Sequence, residues 1–358
     1  MIELINKKLE LLGESFEGVL KYQEIDRPEF YEWIKKYPTL FSFDWFQGVG
    51  LYGYYKLYKK TNDKKYLDIM LNYYQEQISL GLPPKTINTM APMLTLCFLN
   101  QELKNPEYEK LILEWAEFLF KNLRRAPNGA FQHTTFESNN DDQLWDDTLF
   151  MSVLFLAKVG ICYGKNEYVE DAIYQFLEHT KYLVDTSTGL WFHGANVKEG
   201  HNYGRALWGR GNSWVTIFIP DFLEILSDYS IMPSVERYMI EVLNRQVISL
   251  AKFQNENGMW HTLIDDSSSY CEASATAGFG YGILKAVRKG YIDPVYKANG
   301  VKALEAVLRN INDNGILENV SSGTRLGLTK DFYKTIELKP ESFGQAMAML
   351  ILIEGLNL

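Results

Sequence analysis

The sequence predicts an all-α protein, and three observations lead there. Apolar residues recur at helical spacing through most of the 358 residues, as in 66–80, 107–123 and 235–253, while strand-like alternation is rare and short. Six segments are apolar or small on nearly every side: 45–57, 90–99, 144–159, 214–226, 273–287 and 343–353. Helices of that kind have to be covered all round. The segments between them, such as 64–77 and 168–182, are amphipathic, with charged and amide side chains gathered on one face. Inner and outer helices thus alternate about six times at a period of roughly 60 residues, the pattern of stacked helical hairpins. The first and last thirds are equally apolar, and neither polar caps nor a repeated motif is present. The hairpins are therefore expected to close on themselves as an (α/α)6 barrel of six helical hairpins. No Pro-, Gly- or Ser-rich stretch divides the chain, so residues 1–358 are read as one domain.

Composition narrows the function. The 36 basic and 45 acidic side chains give a net charge of −9, and no basic run concentrates positive charge, which argues against nucleic acid as a partner. An anionic ligand would need a local cationic pocket, so a buried arginine becomes worth finding. The N-terminus lacks the charged start, apolar core and cleavage site of a secretory signal, and no apolar run is long enough to span a bilayer. A cytosolic protein without a membrane partner is expected. Cys97, Cys162 and Cys271 sit singly, which favours buried, reduced thiols over a disulfide framework or a zinc site. The five histidines form no HxxxH or HExxH pair, so no catalytic metal and no other cofactor is expected. Oligomeric state is not encoded in any of these features.

Polar and aromatic residues that sit badly with burial collect at the N-terminal ends of the inner helices. Asp44-Trp45 precedes the first and Asn88 the second; residues 141–147 open the third, Trp208-Gly209-Arg210-Gly211-Asn212-Ser213-Trp214 the fourth, and Tyr270-Cys271-Glu272 the fifth. Inner helices of such a ring run parallel, so these ends converge where helix dipoles favour an anion. A cleft walled by Trp and Tyr suits a sugar, whose C–H face packs on aromatic rings while acids and amides bond its hydroxyls. Helix capping alone explains Asp141 and Asp142. Asp146 and Asp147 are followed at helical spacing by Leu149, Phe150 and Met151, so at least one faces a buried side, and spacing does not choose between them. Arg210 lies between two glycines at a helix start, where a cation is disfavoured unless paired, and its planar fork matches a carboxylate. His193 lies in a glycine-bracketed loop, where a structural donor is the ordinary role. Glu272 can simply complement a helix dipole, and Trp208 and Trp214 can equally be core.

In that order, Gln143-Leu144-Trp145-Asp146-Asp147-Thr148-Leu149-Phe150-Met151, Leu190-Trp191-Phe192-His193, the 208–214 segment and Glu272-Ala273-Ser274-Ala275-Thr276-Ala277 resemble the unsaturated rhamnogalacturonyl hydrolases of glycoside hydrolase family 105. The unsaturated glucuronyl hydrolases of family 88 are similar. The resemblance implies an (α/α)6 barrel that hydrates the C4=C5 vinyl ether left in a terminal uronic acid by polysaccharide lyases. In that reaction a single carboxylic acid protonates C4, water adds at C5, and the hemiketal opens to release the neighbouring sugar. By the resemblance Asp147 is the acid/base, and His193, Arg210 and Trp214 line the substrate site. Trp45, Asn88, His133, Thr134, Asp146, Trp208 and Glu272 complete the candidate contacts to an unsaturated oligosaccharide. To donate at neutral pH, Asp147 needs a raised pKa, from apolar neighbours or a nearby carboxylate. Two positions depart from the family pattern: Asn88 stands where an Asp is common, and Thr134 where a Lys commonly follows the His. Asn88 cannot share a proton, and Thr134 removes one contact to an anion. These changes point to an altered substrate and keep a noncatalytic oligosaccharide-binding protein open. A sugar 2-epimerase on the same fold is the other alternative, although no histidine here sits in a matching motif.

Overall fold

A computed structural model describes residues 1–15, 20 and 28–358. The helices run, in chain order, as α1 (Ile2–Ser15), α2 (Tyr31–Lys36), α3 (Trp45–Thr61), α4 (Lys64–Leu80), α5 (Ala91–Leu103), α6 (Pro106–Lys121) and α7 (Leu154–Tyr163). They continue as α8 (Asn166–Leu183), α9 (Gly209–Ile225), α10 (Pro233–Phe253), α11 (Ala273–Arg288), α12 (Lys297–Asn310), α13 (Lys330–Lys334) and α14 (Ser342–Gly355). Helices α3, α5, α7, α9, α11 and α14 pack each against the next, and α14 packs back on α3, so the inner ring is closed. Helices α4, α6, α8, α10 and α12 lie outside, each against the inner helix it follows. The architecture is the (α/α)6 barrel expected from the alternation.

Local chemistry sets the helix ends. Asp44 caps α3, accepting from the Trp45 N–H at 2.6 Å, while Gln47 accepts from the Asp44 N–H at 3.2 Å in a reciprocal box. Asn105 caps α6, whose first residue is Pro106. Asn62, Lys104 and Gly164 close α3, α5 and α7 in the left-handed conformation. All-round apolarity becomes all-round burial: every residue of α14 from Phe343 to Gly355 is buried.

Three details differ from expectation. The outer helix against the sixth inner helix comes from the start of the chain: α1 packs against α14. Lys8 of α1 fastens this closure by donating to the carbonyls of Ile311 and Asn312 at 2.8 and 2.9 Å. The third inner segment is not helical from residue 144. Gln143–Trp145 is strand β1, and a π turn at Leu149–Val153 leads into α7, so Asp141 and Asp142 lie in a turn before a strand and cap no helix. Finally, α9 begins at Gly209, five residues before the apolar run, because Arg210 and Asn212 satisfy their side chains on backbone carbonyls and can be buried. Cys97 and Cys162, far apart in sequence, bring their sulfurs to 3.9 Å across α5 and α7 as free thiols.

Candidate active site

Two short antiparallel ladders sit at the end of the barrel where the inner helices begin. Strand β1 pairs with β2 (Gly194–Asn196), Trp145 opposite Gly194, and β3 (Trp260–His261) pairs with β4 (Cys271–Glu272). The first ladder runs one bond further, from the Asp146 N–H to the His193 carbonyl at 3.0 Å. Asp146 and Asp147 are therefore held beside His193 by backbone pairing, and the π turn that follows sends the chain down into the barrel. Single π turns of this kind recur where a helix must deliver a functional residue.

This geometry separates the two acids. Asp146 is 0 % exposed, whereas the Asp147 side chain keeps 17 % of its surface open. Asp146 faces inward against the first turn of α9, where a methyl group at Gly211 would lie 2.7 Å from its Oδ1. Only glycine admits the helix that close, which accounts for the Arg-Gly-Asn element. Asp147 fronts the mouth, its Oδ2 3.2 Å from the His193 Nε2, close but not aligned as a hydrogen bond. Asp146, expected as a substrate contact, lies behind Asp147.

Protonation differs from the expectation that Asp147 is the raised acid. Burial first, and then the charge of Asp147 beside it, push the Asp146 carboxyl well above the usual range. Burial also pushes Asp147 upward, but the His193 imidazole facing it and the Asp146 carboxyl beside it outweigh this and hold Asp147 below the usual range. The two shifts run in opposite directions, and within the coupled pair Asp146 is the member that holds a proton more tightly.

His193 is fixed from behind. Its Nδ1 lies 2.6 Å from the Tyr333 hydroxyl, which accepts the Gly327 N–H at 2.9 Å. This tether leaves Nε2 facing Asp147. Asp146, Asp147 and His193 each bring one donor atom within 4.8 Å of one another. Removing the tether in Tyr333→Phe frees the imidazole and strands the Gly327 N–H. The loss of about 1–2 kcal/mol of positioning is expected to lower kcat about five- to thirtyfold with KM little changed. Unchanged kcat in steady-state kinetics would remove the tether from the machinery.

The wall is aromatic. Trp145 lies between two histidines, stacked on His133 at 4.1 Å and edge-on to His193 at 5.4 Å. Burial pushes the His133 imidazole down to about 3, so it is neutral, and its Nδ1 meets the Thr148 hydroxyl at 2.8 Å. Trp214 packs on Phe150 and on Trp45, and Trp45 on Phe343. Trp208 lies against His193 at 4.3 Å. The turn bearing Asn88 packs on the π turn after Asp147, and its preceding Ile87 N–H is held by the Thr134 carbonyl at 3.1 Å, so the two departures from the family pattern are neighbours. Asn88 and Thr134 are half-buried.

Arg210 is 1 % exposed and sandwiched between Trp208 and Phe343. Its Nη1 donates to the Ser321 carbonyl and hydroxyl at 2.7 and 2.5 Å and its Nη2 to the Ser322 carbonyl at 2.8 Å. Its Nε–H is unclaimed. Glu272 turns out to be a cap: it accepts from the Ser274 N–H and hydroxyl, the Ala275 N–H and the Ser321 N–H. With its oxygens so committed it supports the loop that holds Arg210, and it is not a free ligand contact. Asn212 likewise exchanges two 2.7 Å bonds with the Trp191 backbone, which sets the approach to His193. Tyr333, Ser321 and Asn212 were not singled out from the sequence; Asn212 alone lay in a motif that could have marked it.

Buried polar atoms without hydrogen-bond partners gather at this end: both oxygens of Asp146, Asp147 Oδ2, His193 Nε2, Arg210 Nε, the indole nitrogens of Trp208 and Trp214, and Ser322 Oγ. Native proteins keep few such atoms, and a cluster of them marks a place built to meet a ligand. A ring of paired helices with a carboxylate and an imidazole at an indole-lined mouth is the plan of a carbohydrate-active enzyme.

Comparison with known proteins agrees. The chain belongs to Glycosyl Hydrolase Family 88, whose model matches residues 20–358, and it is a glycoside hydrolase. It is 30 % identical over 322 residues, 88 % of this chain and 90 % of the relative, to the unsaturated rhamnogalacturonyl hydrolase YesR of Bacillus subtilis. A crystal structure from Salmonella enterica serovar Paratyphi A, described as a possible member of the GH105 family, superposes with a TM-score of 0.92 at 41 % identity, covering 100 % of this chain and 94 % of that one. The unsaturated glucuronyl hydrolase of Bacillus sp. GL1, at 15 % identity and a TM-score of 0.73 over 98 % of this chain and 96 % of that one, shares the fold. Among the described residues no helix is long and apolar enough to cross a membrane.

Proposed function

We propose that this enzyme removes the terminal 4,5-unsaturated uronic acid from oligosaccharides left by polysaccharide lyases, by hydrating the C4=C5 vinyl ether with Asp147 as acid and base. The observation that supports this reading best is the pairing of a partly open carboxylate, Asp147, with a fully buried arginine that keeps a donor unclaimed at the same mouth. Asp147 delivers a proton to C4, positive charge develops at C5 and its ring oxygen, and Asp147 then takes a proton from the water that adds at C5. The hemiketal opens and the neighbouring sugar leaves. Arg210, through Nε–H and its remaining Nη2 hydrogen, holds the substrate carboxylate in two bonds. Trp45, Trp208 and Trp214 face the sugar, and His193 orients Asp147. A rhamnogalacturonan-type substrate follows from the likeness to the Bacillus subtilis relative, and residues 1–358 act as a single catalytic domain.

The test is direct. Unsaturated disaccharides made by pectin, ulvan and glycosaminoglycan lyases are mixed with the enzyme, and ultraviolet absorbance of the conjugated enol carboxylate is followed. Pectin-derived products are expected to lose absorbance; persistence with every product would overturn the reading. Arg210→Lys keeps the charge but loses the fork, so KM for the active substrate is expected to rise about tenfold with a smaller change in kcat. An unaltered KM would remove Arg210 from carboxylate binding.

A further inference from the structure

Asp147 stands at the mouth with a second carboxyl sealed directly before it in the chain, and a proton given to substrate has to be replenished from a neighbour. We infer that Asp146 and Asp147 form a proton-sharing dyad in which Asp146, sealed behind its neighbour, stores the proton that Asp147 passes to the substrate. The inference rests on the hydration chemistry proposed above and assigns Asp146 as a positioning residue for that proton.

The geometry is specific. Asp146 has no exposed surface, and its oxygens have no partner other than the neighbouring Asp147 carboxyl. Its carboxyl, that of Asp147 and the His193 imidazole lie within 4.8 Å of one another. Gly211 brings the first turn of α9 against it, closing it off from the cleft. The titratable groups coupled to it are Asp147 on its own segment and Tyr333 of α13, and His193, from the loop before β2, shares the same cluster. A carboxylate so enclosed is stable only when protonated or beside a proton donor.

The step balances. The proton moves from Asp146 to Asp147 and on to C4, making a C4–H bond from the π pair. Water forms the C5–O bond, its proton returns to Asp147, and thence to Asp146. The negative charge carried transiently by the pair faces the positive charge developing at C5.

Asp146→Asn keeps the shape and can still donate to Asp147 but cannot release a proton. Measured on whichever lyase product the wild-type protein consumes, its kcat is expected to fall at least about a hundredfold with KM nearly constant. Its alkaline limb should move to lower pH, because Asp147 alone loses its proton earlier than the pair does. Equal kcat and an unmoved pH profile would overturn the dyad while leaving the hydrolase reading intact; a wild-type protein inactive on every lyase product would instead sink that reading. A measurement free of turnover stands beside it. At pH 7 the infrared band of a protonated carboxyl should be present in the wild type and survive in Asp44→Asn, which removes the other carboxyl that burial raises, to about 7. It should vanish when Asp146→Asn is added to Asp44→Asn, since Asp44 alone would still give a band at pH 7. Absence of the band from the Asp44→Asn protein overturns the proposal even if Asp146→Asn fails to fold.

Discussion

Asp147→Asn is expected to lower kcat by about 10²- to 10⁴-fold, the range that a positioned proton-transfer group contributes. The amide keeps the volume and the contact with His193 but carries no transferable proton, so KM should stay within a few-fold and the melting temperature should not fall. Both outcomes follow from its position. Asp147 is partly open and lies 3.2 Å from the His193 Nε2, so the substitution opens no cavity and exposes no partner. The check is steady-state kinetics on an unsaturated disaccharide, with circular dichroism to confirm the fold. Turnover within about tenfold of wild type would take the acid/base role from Asp147. In Asp147→Gly, which leaves room for it, added formate, a small carboxylic acid, is expected to restore part of the rate.

At the opposite end of the barrel, Asp221→Ala is expected to destabilise the fold by about 3 kcal/mol, the lower end of the cost of breaking a buried ion pair. Asp221, 1 % exposed on α9, bonds Lys285 and accepts from the Tyr281 hydroxyl of α11 at 2.8 Å. Lys56 of α3, across the ring, lies 3.9 Å from the same oxygen and 3.7 Å from Glu224. Lys285, itself almost fully buried, also meets Glu224 at 2.6 Å, and this second partner keeps the cost at the low end. The network sits at the C-terminal ends of the inner helices, where lysines offset the converging negative dipole ends. It cross-links helices that the chain joins only through long detours. Burial pushes Glu224 upward, but Lys285 and Lys56 outweigh it and hold its carboxyl below the usual range. A depressed carboxyl stabilises the fold above its unfolded pKa and loses that contribution as pH falls through the folded value, so wild-type stability should decline in acid. Urea titration at neutral pH measures the Asp221→Ala cost, and a loss under about 1 kcal/mol would show that the lysines find other partners.

Much of this protein is legible in its residues. The inner helices declare themselves because a helix apolar on every side has to be enclosed, and 343–353 and 90–99 are so composed. The mouth is legible as well, since Asp147, Arg210 and Trp214 lie in motifs at inner-helix starts and His193 in a motif of the loop between two helices. Other parts are not. His193 and Tyr333 are 140 residues apart, and no pattern around Tyr333 announces the contact. Glu272 reads as a ligand contact in a motif, yet its oxygens are consumed by the first turn of α11 and by Ser321, 49 residues on. Whether an acid is free or spent depends on neighbours that local spacing does not reveal.

The closed ring and the identity of its chemical end were written in hydrophobic periodicity and in the order of a few motifs, because helix burial is governed by the pattern of one segment at a time. The motif resemblance picked Asp147 as the acid, whereas the burial of Asp146 behind it and the contacts that commit Glu272 and Tyr333 were decided only by the tertiary structure. Protonation and hydrogen bonding follow burial and charge, which are set here by α9, the β1–β2 ladder and the 321–338 segment converging from distant parts of the chain.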